Sequence, residues 1–220
     1  KEMFDHVMLP DDDYRRNALA IANPLSEEQG VMRTLLMPGL LNTISRNLAR
    51  RNQNLAFFEM GSVFIPGQEK LPSEILKLGV AVSGQSDINW KVSPVEWDFF
   101  YLKGVVEDLF QQLGIRNARF EAGTAPGFHP GRTAVISCGE EEVGILGEVH
   151  PQVLENFDIR NRVIFTELEL EKLYNHATPR VMTESIGRFP AIERDLAVLL
   201  PIEVPASKAV DTMRRVGGPF

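Results

Sequence analysis

Leu55-Ala-Phe-Phe-Glu-Met-Gly-Ser-Val-Phe-Ile65 gathers aromatic and β-branched residues into one run, and Pro66-Gly67 ends it. That is strand composition with a turn signal behind it. Toward the N-terminus, Pro38 suits the first turn of a helix running to Arg51. Leu40, Leu41, Ile44 and Leu48 fall at i, i+1, i+4 and i+8 and make one apolar face. Arg46, Arg50 and Arg51 lie in its second half, where cations complement a helix C-terminus. Further back, Ala18-Leu-Ala-Ile-Ala22 is a short apolar run suited to a buried strand. Asn23-Pro24-Leu25-Ser26 breaks it, since proline fixes its own φ and pushes the residue before it to an extended shape.

On the C-terminal side, Leu78–Ser83 (LGVAVS) is a second strand by composition. Asp98–Leu113 is the clearest amphipathic helix: Phe99, Leu102, Val106, Leu109 and Leu113 recur every three or four residues, and Gly114 follows as a stop. Ala118–Glu121 is a short strand, and Thr133–Cys138 and Glu142–Glu148 flank Gly139-Glu140-Glu141 as a hairpin. Pro151 opens a helix to Phe157, and Val163–Leu170 is a further strand. After Lys172 the apolar density falls, and Thr178–Gly187 reads as a crossing into a second domain. There, Arg194–Leu200 (RDLAVLL) is expected to be a strand, and Val204-Pro205 to start a helix that runs through Val216 and ends at Gly217-Gly218. Many antiparallel-type strands with few helices define an α+β fold: one antiparallel sheet from residue 18 to 172, with the Pro38–Arg51 and Asp98–Leu113 helices burying their stripes against a common face.

The 220 residues are 44% hydrophobic and 24% charged, the balance of a globular chain with a core. The single cysteine, Cys138, cannot form an internal disulfide, no apolar run approaches the length of a membrane span, and the polar Lys1-Glu2 and Asp11-Asp12-Asp13 do not read as a signal-peptide pattern. The cytoplasm is the expected location. The net charge of −7 argues against a surface that embraces nucleic acid throughout, while leaving room for a local basic stripe.

Chemistry is hard to find. Gly127-Phe-His-Pro-Gly131 lacks the Lys-Ser/Thr of a phosphate loop, and no Gly-x-Gly-x-x-Gly or Gly-x-Ser-x-Gly occurs. His6, His129, His150 and His176 are scattered without partners at metal-ligand spacing. His129 and His150 each precede proline and read as turn residues. Asp11-Asp12-Asp13 lacks a calcium-loop spacing, and Glu140-Glu141-Glu142 sits in the expected hairpin turn, so both read as solvated surface, as do Arg46, Arg50 and Arg51. No catalytic, cofactor-binding or metal residue is assigned.

Met32-Arg-Thr-Leu-Leu-Met-Pro-Gly-Leu-Leu41 followed by Phe58-Glu-Met-Gly-Ser-Val-Phe64 resembles the class II aminoacyl-tRNA synthetase core, in the degenerate form found in the bacterial phenylalanyl-tRNA synthetase beta chain. Asn23–Ser26, Phe128-His-Pro-Gly-Arg132 and Gly144-Ile-Leu-Gly-Glu-Val-His-Pro151 fit the same family in the same order. Arg188-Phe-Pro-Ala-Ile-Glu-Arg-Asp-Leu-Ala197 resembles the opening of its ferredoxin-fold anticodon-binding domain.

The resemblance implies a division into a synthetase-like core at 1–177 that lacks its N-terminal dimer-forming motif, a linker at 178–187, and the truncated start of the anticodon-binding domain at 188–220. It implies a non-catalytic scaffold that docks on a catalytic alpha subunit in an assembly of two alpha and two beta chains. ATP and magnesium belong to the whole enzyme, with none expected in this part. In catalytic relatives an arginine that contacts the ATP α-phosphate follows the strand matching Phe58–Phe64; Ile65 stands there. The later glycine-rich segment ending in arginine has no match after Val143. Arg188, Arg194, Arg214 and Arg215 are the candidate tRNA contacts. The alternative is a stand-alone synthetase-like paralogue that binds an amino acid or nucleotide.

Overall fold

In the computed structural model, residues 2–24, 30–67, 71–86, 90–91, 93–178 and 194–217 are described. They divide into two compact units, Lys1–Val181 and Met182–Phe220. The first unit is built on one six-stranded antiparallel sheet in the order β1-β2-β6-β5-β4-β3. Its strands are β1 (Leu55–Ile65), β2 (Ser73–Ser83), β3 (Ala118–Ala122), β4 (Phe128–Cys138), β5 (Glu141–Val149) and β6 (Ile164–Glu169). β1 pairs with β2 along its whole length, from Leu55↔Ser83 to Ile65↔Ser73. The β4–β5 turn is made by Gly139 at φ +64, a conformation a Cβ resists, followed by Glu140.

The helices of this unit are α1 (Glu2–His6), α2 (Met37–Ala49), α3 (Phe99–Gln112), α4 (Pro151–Asn156) and α5 (Leu170–His176). Strand alternation sends side chains to two faces, and each face has its own core. On the first, α1, α2 and α4 pack Phe4, Leu41, Ile44 and Val153 against Ala81 and Phe165. Gly79 lets α2 come close, because a Cβ there would sit 2.9 Å from Leu40 Cδ1. On the second, α3 and α5 pack Leu102, Val106, Phe110 and Leu173 against Val82, Leu146, Ile164 and Leu168.

The two main helices therefore lie on opposite faces. The expectation of a common face is corrected: each apolar stripe finds its own side of a sheet whose inner strands are apolar on both. The α3 stripe is anchored by Leu102, Val106 and Phe110, while Phe99, Leu109 and Leu113 are only partly buried. Asp98 caps α3 by accepting the Tyr101 N–H.

Several expectations shift. Ala18–Ala22 is not a buried strand: it makes one isolated bridge, Ala20↔Val31, and Ile21 is exposed. A single bridge with no second neighbour gives that run nothing to bury against. β4 starts five residues earlier than expected, at Phe128. A register shift between Phe128 and Thr133 accommodates Pro130 and Gly131, which otherwise signal a turn. α1 and α5 were not expected, since five and seven residues are too short for a helical period to show.

In the second unit, α6 (Ala206–Gly217) forms where expected and buries no residue. Arg194–Leu200 does not form the expected strand. It has no strand partner among the described residues, and a strand exists only as one member of a hydrogen-bonded pair.

Candidate functional site

Ile65 ends β1 on the same face as Leu55 and Val63, the face covered by α2. A synthetase-like core would keep its chemistry on this face, so its space and free charges decide what the chain can do. Its cavity has a volume of about 30 Å³ and is lined by Arg15, Leu35, Met37, Phe128, Phe165 and Glu167. That is room for a water or two. Small-molecule sites occupy roughly 300–1,000 Å³.

Three cations on this side of the sheet are paired with carboxylates. Asp13 caps the turn Tyr14–Arg16, accepting from Arg15 N at 2.9 Å, from Arg15 Nε at 2.9 Å and from Arg15 Nη2 at 2.6 Å. The hydrogen bond from Arg15 is the main cause that holds the Asp13 carboxyl below its ordinary value. Lys77 Nζ donates to Glu167 Oε1 at 2.8 Å, and Glu167 Oε2 accepts the Leu36 N–H at 2.9 Å. Arg33 pairs with Glu59 and donates through Nε to Ser62 O at 2.8 Å. This cavity has room for a water or two and its lining cation, Arg15, is paired with Asp13, so the cavity itself does not fit ATP. Among the described residues no group of histidine, cysteine or acidic side chains could hold a metal.

Two pairs of quoted motifs meet here. Arg33 of the Met32–Leu41 stretch and Glu59 of the Phe58–Phe64 stretch form the ion pair just described. On the other face, Arg132 of β4, within the register shift that follows Phe128, meets Glu148 of β5. Arg132 Nη1 donates to both Glu148 oxygens at 3.0 and 2.8 Å. Arg162 reaches the same carboxylate through Nε at 3.2 Å and Nη2 at 2.8 Å. Burial pulls the Glu148 carboxyl up, but the hydrogen bonds and charges of Arg162 and Arg132 together hold it below its ordinary value of 4.5. Sequence reading missed this triad, because Arg162 lies outside every motif and only the sheet brings it to Glu148.

The histidines read as turn residues are so placed. His129 Nδ1 accepts the Gly131 N–H, and His150 Nδ1 caps α4 by accepting the Gln152 N–H. Glu141, read as solvated, is met by His176 at 2.9 Å. Of the candidate tRNA contacts, Arg214 and Arg215 are exposed in the last turn of α6, and Arg194 is exposed ahead of it. Arg188 lies outside the described residues.

Solved structures of pyrrolysyl-tRNA synthetase from Desulfitobacterium hafniense share this architecture. One matches 79% of this chain and 58% of its own with a TM-score of 0.58 at 16% identity; another matches 84% and 61% with a TM-score of 0.58 at 18% identity. The first unit thus shares the fold of those synthetases, a six-stranded antiparallel sheet with helices on both faces. The family model described as the phenylalanyl tRNA synthetase beta chain CLM domain matches residues 1–170, and the chain belongs to that family. Relatives named phenylalanine–tRNA ligase beta subunit include those of Symbiobacterium thermophilum, 39% identical over 98% of this chain, and Moorella thermoacetica, 41% identical over 97%. The chain spans 24% and 27% of those two proteins, about a quarter of their length.

Proposed function

We propose that this chain is a non-catalytic scaffold within the beta subunit of a phenylalanine–tRNA ligase, docking on the alpha subunit that carries the active site and contributing to tRNA binding. The observation that carries the reading is the small cavity on the α2 face, about 30 Å³, and it is joined by the expectation that Ile65 stands where a phosphate-binding arginine would. The stand-alone paralogue is disfavoured by the same observation, since a sensor of an amino acid or nucleotide needs an open pocket there.

The same reading divides the chain into a core at 1–177, a linker at 178–187 and the start of a ferredoxin-like anticodon-binding module at 188–220. In that module Arg188, Arg194, Arg214 and Arg215 would meet tRNA phosphates. Phosphate contacts position more than they specify, so isolated cations give weak, salt-sensitive binding. ATP and magnesium act in the whole enzyme, on the alpha subunit; the assembly has two alpha and two beta chains, and its place is the cytoplasm. No helix among the described residues is long and apolar enough to cross a membrane.

Co-expression with a separately tagged alpha subunit tests the scaffold role. The two are expected to co-purify, while the chain alone supports no ATP–pyrophosphate exchange. Exchange above background by the chain alone would overturn the reading.

A further inference from the structure

The scaffold role leaves the Arg132–Glu148–Arg162 triad unused. It borders an open cleft of about 560 Å³ beside the first turn of α3. Phe120 of β3 and Phe99 and Phe100 of α3 line the cleft, with Lys103 beside them and Arg132 and Arg162 at its side. The cleft lies wholly in the first compact unit, whereas Arg194, Arg214 and Arg215 belong to the second.

Glu148 is 4% exposed, and its one carboxylate fixes two guanidinium groups that are each about half exposed. The triad keeps one net positive charge. Arg162 spends its remaining Nη1 on Glu96 at 3.3 Å, and Lys103 pairs with Glu107 while lying 4.7 Å from the centre of the Phe120 ring. Arg132 Nε and Nη2 make no hydrogen bond among the described residues. That leaves one guanidinium edge, held in place from behind by a buried carboxylate, with its donors free. Near it Phe100 is 74% exposed, a large ring that the core does not use.

A fixed guanidinium edge beside an exposed ring suits a ligand that carries one phosphate and one planar base. The phosphate accepts the charged N–H groups and the base stacks on the ring. Of the carboxylates nearby, Glu96 is paired with Arg162 and Glu107 with Lys103, so the Arg132 edge is the donor set that meets a single phosphate. We propose that the cleft between α3 and the β3–β4 pair takes one unpaired nucleotide of an RNA strand, with its base on Phe100 and its phosphate on Arg132. The proposal rests on the reading of the chain as part of a tRNA ligase, and it adds a contact separate from the terminal module.

The test is fluorescence anisotropy with a labelled single-stranded RNA hexamer and the 220-residue chain, at 50 mM salt and above. Phe100→Ala removes an exposed ring and is expected to weaken binding at least fivefold, the effect of losing one base stack. Arg132→Gln is expected to weaken it by a similar factor and to reduce the slope of log affinity against log salt by about 0.7, one single-strand phosphate contact. Arg132→Lys, which keeps a charge over Glu148, should recover part of the loss and guards against misfolding. Unchanged binding in both Phe100→Ala and Arg132→Gln, with loss only in the Arg214→Gln/Arg215→Gln double variant, overturns the cleft site and leaves the tRNA-binding reading intact. Absence of hexamer binding while the alpha subunit still co-purifies also overturns it and spares the scaffold. Binding of an acidic, aromatic peptide with the same dependence on Phe100 and Arg132, and no RNA binding, would assign the cleft to a protein partner instead.

Discussion

Leu55–Ile65 and Arg194–Leu200 are both apolar runs bounded by proline, and only the first is a strand. β1 has β2 beside it for its full length and a helix-built core beneath it, so Leu55 and Val63 are buried. Leu196 and Leu199 have neither, and Leu199 is fully exposed. The contrast teaches that an apolar run specifies a strand only when a partner satisfies its backbone and a facing layer takes its side chains.

Hydrogen exchange separates the two regions most sharply. Amides of α3, which is packed on the second core, are expected to exchange only through large-scale opening, and those of 194–200 at nearly unprotected rates. Equal protection would show that the second unit has found a partner surface. Next in size, Leu102→Ala, at a site with no exposure, should cost about 2–5 kcal/mol in chemical denaturation. A loss of a few tenths would mean that the second core is not cooperative with the first.

Glu148→Gln is expected to cost about 1.5–3 kcal/mol, the range for charge-assisted hydrogen bonds. Because the folded Glu148 carboxyl titrates below its unfolded value, its contribution is complete above the ordinary carboxylate range and is lost as pH falls through the folded value. Wild type should therefore lose stability on acidification, and the Gln variant should lose less of it. An identical acid profile in both would remove Glu148 from the account. The smallest effects are expected at Leu199 and Ile65. Leu199→Ala should change stability by no more than about 0.5 kcal/mol, and Ile65→Arg should leave ATP–pyrophosphate exchange at background. Exchange gained by Ile65→Arg would mean that this one side chain decides whether the chain has the activity.

Much of the first unit was legible from local pattern. β1 carries its composition and its stop, α3 carries a cap, a 3.6-residue stripe and a closing glycine, and the β4–β5 hairpin carries its Gly-Glu turn. These signals lie within a few residues of what they specify. α5 was missed because about two turns hold too few apolar positions to show a period. The α3 phase was clear, but the face it would choose was not. Both faces of β2 and β6 offer buried residues, Ala81 and Phe165 on one and Val82 and Ile164 on the other.

By itself, then, the sequence determined the strands and helices that carry their own boundaries and the family motifs in their order. Tertiary structure alone decided three further things. It placed α2 and α3 on opposite faces, it closed Arg15, Phe128 and Phe165 around a cavity of about 30 Å³, and it drew Arg132, Glu148 and Arg162 into one triad across β4, β5 and the entry to β6. The reason is distance along the chain. Periodicity and capping act between residues a few positions apart, whereas face, cavity and charge cluster depend on side chains that only the sheet register makes neighbours.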